Sequence, residues 1–168
     1  MSLRLILTRH AKSSWASPGL GDHERPLNKR GRASADAIGD WLQARDYLPG
    51  EALISSAART RETWARIADR LAAPPAPTIL PGLYLADPEA MLALLRAASA
   101  HSVMLIAHNP GSAAMAALLA IRPPEHQQFH RYPTAATTVF SFEADSWADV
   151  TWQSGRVIDF VVPRDLLE

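Results

Sequence analysis

Leu3-Arg4-Leu5-Ile6-Leu7-Thr8 is a short apolar run that passes directly into Arg9-His10-Ala11. It is too short for a helix and rich in branched apolar residues, so it reads as a buried strand. Ser102-Val103-Met104-Leu105-Ile106-Ala107 repeats the pattern and passes into His108-Asn109-Pro110-Gly111. A third such segment, Ala52-Leu53-Ile54-Ser55, passes into Ser56-Ala57-Ala58-Arg59. The segments between have helical periodicity. From Asn28 to Arg45, Asn28 can cap, and Ala33, Ala37, Ile38, Trp41 and Leu42 recur at three and four. Arg59 to Leu71 carries Trp64, Ile67, Ala68 and Leu71 on one face. Pro88 opens a third helix over 88–98, and Gly111 to Leu119 suits a small, apolar fourth. Thr78-Ile79-Leu80, hemmed in by Pro74, Pro75, Pro77 and Pro81, allows only a brief edge strand. Thr137–Phe142 and Val150–Trp152 alternate as strands do, and Ser154-Gly155 reads as a hairpin-type turn into Val157–Val162. Strands alternating with helices predict an α/β fold: a three-layer α/β/α sandwich with a mostly parallel central sheet and antiparallel edge strands near the C-terminus. No linker or repeat divides residues 1–168, so a single domain is expected.

Composition narrows the function. The chain has 168 residues, 48% of them hydrophobic, enough for a full core without staples. The absence of Cys excludes a disulfide framework, a thiolate nucleophile and a thiolate-bound metal together. A net charge of zero disfavours a globally basic nucleic-acid binder. The balance is uneven: residues 1–72 hold 12 Lys/Arg against 8 Asp/Glu, a net of +4, and the remainder carries the compensating −4. Such a basic first half is compatible with an anionic ligand. No apolar run approaches the roughly 20 residues of a membrane span, and no secretory leader pattern opens the chain. A cytoplasmic protein with no membrane or nucleic-acid partner is the expectation.

In open α/β sheets ligands gather at the carboxyl ends of the strands. Here those ends carry Arg9-His10, Arg59 and His108. If the three strands are neighbours, two arginines and two histidines converge on one rim. Arginine presents a planar fork matched to phosphate oxygens. A neutral imidazole can attack phosphorus, and a second, protonated one can donate to an equatorial oxygen. Taken singly, each residue has an ordinary structural role: Arg59 as a solvated surface arginine, His108 as a helix cap. Their joint placement at core strand ends singles them out. His23, His101, His126 and His130 lack that setting and read as surface or loop residues. No metal-ligand motif and no glycine-rich nucleotide loop is present. Of the five tryptophans, Trp15 alone lies in the loop after His10.

The segment Leu5-Ile6-Leu7-Thr8-Arg9-His10 resembles the N-terminal signature of the histidine phosphatase superfamily, in which Arg-His-Gly is usual. Here Ala11 replaces the glycine and Lys12-Ser13 follows, which is similar to the SixA-like branch of small phosphohistidine phosphatases. Asp22-His23-Glu24-Arg25-Pro26-Leu27 through Gly31, Ser55 through Thr63, Leu83 through Glu89, and Ile106 through Gly111 match that branch in order and spacing. The resemblance implies a phosphoglycerate mutase-like fold. It implies His10 as a nucleophile that becomes phosphohistidine, and Arg9, Arg59 and His108 as holders of the phosphoryl oxygens. Arg25 and Asn109 would line the same pocket. Asp22, Asp87 and Glu89 are the candidates for a general acid. Hydrolysis would need no metal or other cofactor. A chain this short leaves no room for large insertions over the site, so an open, shallow pocket is expected, suited to a phosphorylated protein bearing phosphohistidine. The alternatives are a phosphatase for small phosphate esters on the same scaffold and a non-catalytic phosphate-recognising module. Mutase activity is disfavoured, because an open site should not retain an intermediate.

Overall fold

The computed structural model describes residues 2–167. Strand β1 (Ser2–Arg9) is followed by α1 (Lys29–Ala44), β2 (Glu51–Ser55), α2 (Ala58–Ala68), β3 (Pro77–Leu80), α3 (Pro88–Leu95), β4 (Ser102–Ala107), α4 (Gly111–Leu119), β5 (Thr137–Glu143), β6 (Gly155–Val161) and a last short turn of helix, α5 (Pro163–Leu166). One six-stranded sheet forms in the order β3-β2-β4-β1-β5-β6. β3, β2, β4 and β1 run parallel, and β5 and β6 add antiparallel to β1. Among the described residues no helix is long and apolar enough to cross a membrane.

The strands are continuously apolar because both faces of the sheet are covered. Leu3, Leu5, Leu7, Val103 and Leu105 point to one face, where they meet Met91, Leu92 and Leu95 of α3 and Met115, Ala116 and Leu119 of α4. Ile6, Met104, Ile106 and Ile54 point to the other, against Ile38, Trp41 and Leu42 of α1 and Trp64 and Ile67 of α2. This is the expected α/β/α sandwich. Helix starts are also as the residues dictate. The Asn28 side chain accepts from the Gly31 amide at 2.8 Å, and Asp87 caps α3 ahead of Pro88 by accepting from the Ala90 amide.

Three sequence expectations need correction. Val150–Trp152 is not a strand: residues 147–149 form a short 3-10 turn instead. Trp147 and Val150 are apolar because they dock into the core, with the Trp147 indole N–H donating to the Ala100 carbonyl. Ser154-Gly155 is not a tight hairpin turn, since β5 ends at Glu143 and Gly155 is already the first residue of β6. Helices α2 and α3 stop at Ala68 and Leu95, about a turn short of the periodic pattern; Leu71 is buried from the loop after α2 and not from the helix.

Two glycines let helix ends approach the loops that follow the strands. A Cβ on Gly31, in the first turn of α1, would lie 2.0 Å from the Lys12 carbonyl oxygen, just past His10. A Cβ on Gly111, opening α4 just past His108, would lie 2.1 Å from the Ala86 carbonyl oxygen. Backbone cannot yield as a flexible side chain can. Alanine gains about 1 kcal/mol over glycine in an unobstructed helix, but the displacement required here costs more. Gly31→Ala and Gly111→Ala are each expected to lower stability by about 1–3 kcal/mol, read as a fall in the urea midpoint. A rise in midpoint would show that the loops move freely.

Candidate active site

The register that pairs Arg9 of β1 with Ala107 of β4 puts the next residue of each strand, His10 and His108, side by side. The His10 amide donates to the Ala107 carbonyl at 3.1 Å, and the two rings lie 5.3 Å apart, centroid to centroid. β2 flanks β4 on its other side, and its last residue, Ser55, shares a 2.7 Å hydrogen bond with His108 Nε2. The chain turns from Ser55 into α2, whose second residue is Arg59. Arg9, His10, Arg25, Arg59, His108 and Asn109 thereby line one hollow of about 300 Å³, together with Lys12, Ser13, Trp15, Leu85 and Thr134. No described Asp or Glu lines it.

The rings and guanidinium groups are held from behind. His10 Nδ1 donates to the Ala11 carbonyl at 2.7 Å, which assigns the proton of the neutral ring to Nδ1 and leaves the lone pair on Nε2. The Thr63 hydroxyl donates to the Arg59 carbonyl and accepts from the Ala11 amide, tying α2 to the loop after His10. Arg59 is 3% exposed and donates to the Asp22 carbonyl and carboxylate at 2.8 and 3.0 Å. Arg25 donates to Asp22 Oδ1 and, at 2.6 Å, to the Ser13 hydroxyl. Its guanidinium carbon lies 3.6 Å from the centroid of the exposed Trp15 ring. Arg9 donates to the Tyr132 carbonyl. Arg9 Nε, Arg59 Nε and His108 Nδ1 are buried with no hydrogen-bond partner among the described residues.

Burial lowers both histidines to about 3, with Arg9, His108 and Arg59 acting further on His10, and Arg59 on His108. His10 is therefore neutral at pH 7, as a nucleophile must be. His108 is also neutral among these neighbours. This departs from the sequence expectation of a protonated second imidazole, and the cause is burial beside Arg59. An entering dianion would offset that local field.

Of the three carboxylate candidates, only Asp22 meets the cluster. The Tyr84 hydroxyl at 2.5 Å, then Arg25 and Arg59, hold its carboxyl well below the usual carboxylate range. An acid so thoroughly ionised is a poor proton donor. Asp87 is the cap of α3, and the exposed Glu89 accepts from the Trp152 indole N–H. Neither lines the hollow. Asn109 does, but its amide is spent on the Arg131 and Tyr132 carbonyls and the Ala113 amide. Two residues were undervalued. His23 is not a plain surface residue: it hydrogen bonds Ser56 and packs edge-on against Tyr84, whose ring in turn meets His108. Tyr84 lay in a matched segment but carried no distinctive charge or spacing to mark its part. Among the described residues no three His, Asp or Glu side chains stand together as a metal would require.

Comparison with known proteins places this geometry. A model of the histidine phosphatase superfamily (branch 1) matches residues 5–83. An uncharacterised protein of Mycobacterium tuberculosis is 30% identical, with 93% of this chain and 99% of that protein covered. An uncharacterised chloroplastic protein of Arabidopsis thaliana is 51% identical over 63 residues, which is 38% of this chain and 29% of that one. Among solved structures, SixA of Agrobacterium tumefaciens, a phosphohistidine phosphatase by assignment, is 32% identical with a TM-score of 0.77 over 96% of this chain and 98% of that one. SixA of Nakamurella multipartitia, likewise assigned, is 27% identical with a TM-score of 0.80 over 97% of each chain.

The depressed histidines carry a pH consequence. The unfolded chain takes up protons on His10 and His108 from about 6.5, and the folded chain only near 3, so acid favours unfolding across that window. For turnover, kcat/KM reports the free protein. With an aryl phosphate, corrected for the substrate's own ionisation, it is expected to show no limb centred near 6.5. A limb centred near 6.5 that persists after that correction would contradict a neutral, buried imidazole.

Proposed function

The chain belongs to the histidine phosphatase superfamily, in its SixA-like branch, and on that premise we propose that it removes phosphate from phosphohistidine on proteins through a phosphohistidine intermediate of its own. It is a phosphatase. The observation that carries the finer reading is the composition of the hollow: two imidazoles 5.3 Å apart among guanidinium groups, with no carboxylic acid on the lining.

In this reading His10 Nε2 attacks phosphorus. The new N–P bond forms as the bond from phosphorus to the substrate's imidazole breaks, and that imidazole leaves with a proton taken from water or carried on its other nitrogen. Arg9, Arg25 and Arg59 neutralise the three equatorial oxygens, and His108 donates to one of them once the bound dianion has raised its affinity for a proton. Phosphoryl transfer is mainly positioning and charge stabilisation, which this set supplies. Water then attacks the phosphorylated His10 and releases inorganic phosphate. No step draws on a metal. The missing acid fits the proposed substrate, because an imidazole leaves phosphorus more readily than an alkoxide and needs little help from a proton donor.

A substrate panel tests this. Phosphohistidine peptide is expected to exceed phosphoserine peptide and small alkyl phosphates in kcat/KM by orders of magnitude with one preparation. Equal or better turnover of alkyl phosphates would favour the small-ester reading. His10→Ala should abolish hydrolysis with the fold retained, and Arg59→Ala should cost around 10²–10³ in rate. EDTA should leave activity unchanged. Phosphate binding with no turnover of any substrate would support a recognition module instead.

A further inference from the structure

Beside the catalytic hollow lies a larger one, of about 450 Å³, that the chemistry above does not use. Lys12 and Thr134 line both, so the two are continuous. The second is lined by Lys12, Arg30, Arg131 and Arg164, with Ser34 and Thr134 as polar neutrals, and by no described Asp or Glu. Arg30, Ser34 and Arg164 continue into a further depression of about 320 Å³ along α1 and α5. All four cations are exposed, and none forms an ion pair with a described residue. Elsewhere on the same helices the pattern is the opposite. Arg32 pairs with Glu62, Arg66 and Arg70 with Asp36, and Arg70 with Asp40. The basic excess of residues 1–72 is thus partly unspent, and part of it lies along this groove.

We propose that this groove receives an acidic segment of the phosphoprotein substrate, with Lys12, Arg30, Arg131 and Arg164 meeting carboxylates that flank the phosphorylated residue. The proposal rests on the phosphoprotein reading above and adds the chemistry of the partner's surface. A polypeptide fits better than a nucleic acid, because no aromatic side chain lines the groove to stack a base. It fits better than a small ester, because a ligand no larger than a phosphate in the catalytic hollow would leave these cations untouched. Exposed complementary charges act mainly on encounter and specificity, and they are screened by salt.

The test uses two fluorescent peptides carrying the same stable phosphohistidine analogue, one flanked by glutamates and one by glutamines, read by anisotropy against the full chain. The wild type is expected to bind the glutamate peptide about tenfold more tightly, with the margin shrinking as NaCl rises. Arg30→Glu with Arg164→Glu should erase or invert that preference while kcat for a saturating small aryl phosphate stays unchanged. Arg30 sits in the first turn of α1, where a negative charge is tolerated, and Arg164 is exposed on the single turn of α5. Arg30→Gln with Arg164→Gln gives the milder version and should erase most of the preference. Equal affinity for both peptides in the wild type, or a preference that survives both double variants, overturns the proposal. Hydrolysis of aryl phosphate with none of phosphohistidine peptides would overturn the phosphohistidine reading alone, and the glutamate-against-glutamine contrast would still decide the groove.

Discussion

The parallel register of β1 on β4 is the constraint on which the site depends. It aligns Arg9 with Ala107, so the first residues beyond the two strands, His10 and His108, are neighbours although 98 positions apart in the chain. A slip of one residue would send either side chain to the opposite face of the sheet. The register is held because both faces are buried: Leu5 and Leu7 have to meet one pair of helices and Ile6 the other. Core packing therefore does more than stabilise the fold. It sets the spacing of two imidazole rings, and the strength of that specification comes from apolar contacts far from the hollow.

Electrostatics in the cluster is a balance among like charges with one internal counter-ion. Arg9 and Arg59 each disfavour a charge on the histidines, and Arg59 also opposes the charge on Arg9. Asp22 offsets part of this. Its carboxylate takes hydrogen bonds from Arg25, Arg59 and Tyr84 at once, and it weakly favours protonation of His108. It thereby fixes the guanidinium groups in place before any ligand arrives, and it also competes with a phosphoryl group for them. Preorganisation and competition come from the same bonds. Because the Asp22 side chain is 43% exposed, the competition is softened by solvent, and a dianion in the hollow has the stronger claim on Arg59.

The parts of this that could be read in the sequence are those encoded locally. Short, mostly apolar runs of four to six residues specify strands, Asn28 and Pro88 mark helix starts, and alternation of the two elements specifies the layered sheet. Arg9, His10, Arg59 and His108 were legible because strand ends in such a sheet share one edge. Tyr84 and His23 were not, since their part arises from loops that meet only in three dimensions, at Asp22 and His108. Val150 misled for a related reason. A docked 3-10 turn buries apolar residues as a strand does, and short windows do not separate the two. The protonation of His108 was out of reach of the sequence, because burial sets it.

On the proposed chemistry, proton supply is the property that would separate a phosphorylated imidazole from an alkyl phosphate as a substrate. An alkoxide departing from phosphorus needs a proton in the transition state, and the donor must be neutral at working pH. Before any ligand binds, the Tyr84 hydroxyl, then Arg25 and Arg59, hold the carboxyl group that reaches the cluster well below the usual carboxylate range. Raising its affinity for a proton would mean breaking the bonds that position Arg59. For as long as Asp22 anchors Arg59 it is not available as an acid. Specificity for a nitrogen leaving group, on this argument, needs no shaped pocket for the substrate's imidazole. On the proposed chemistry it would follow from the ionised state of the same carboxylate that steadies the guanidinium groups.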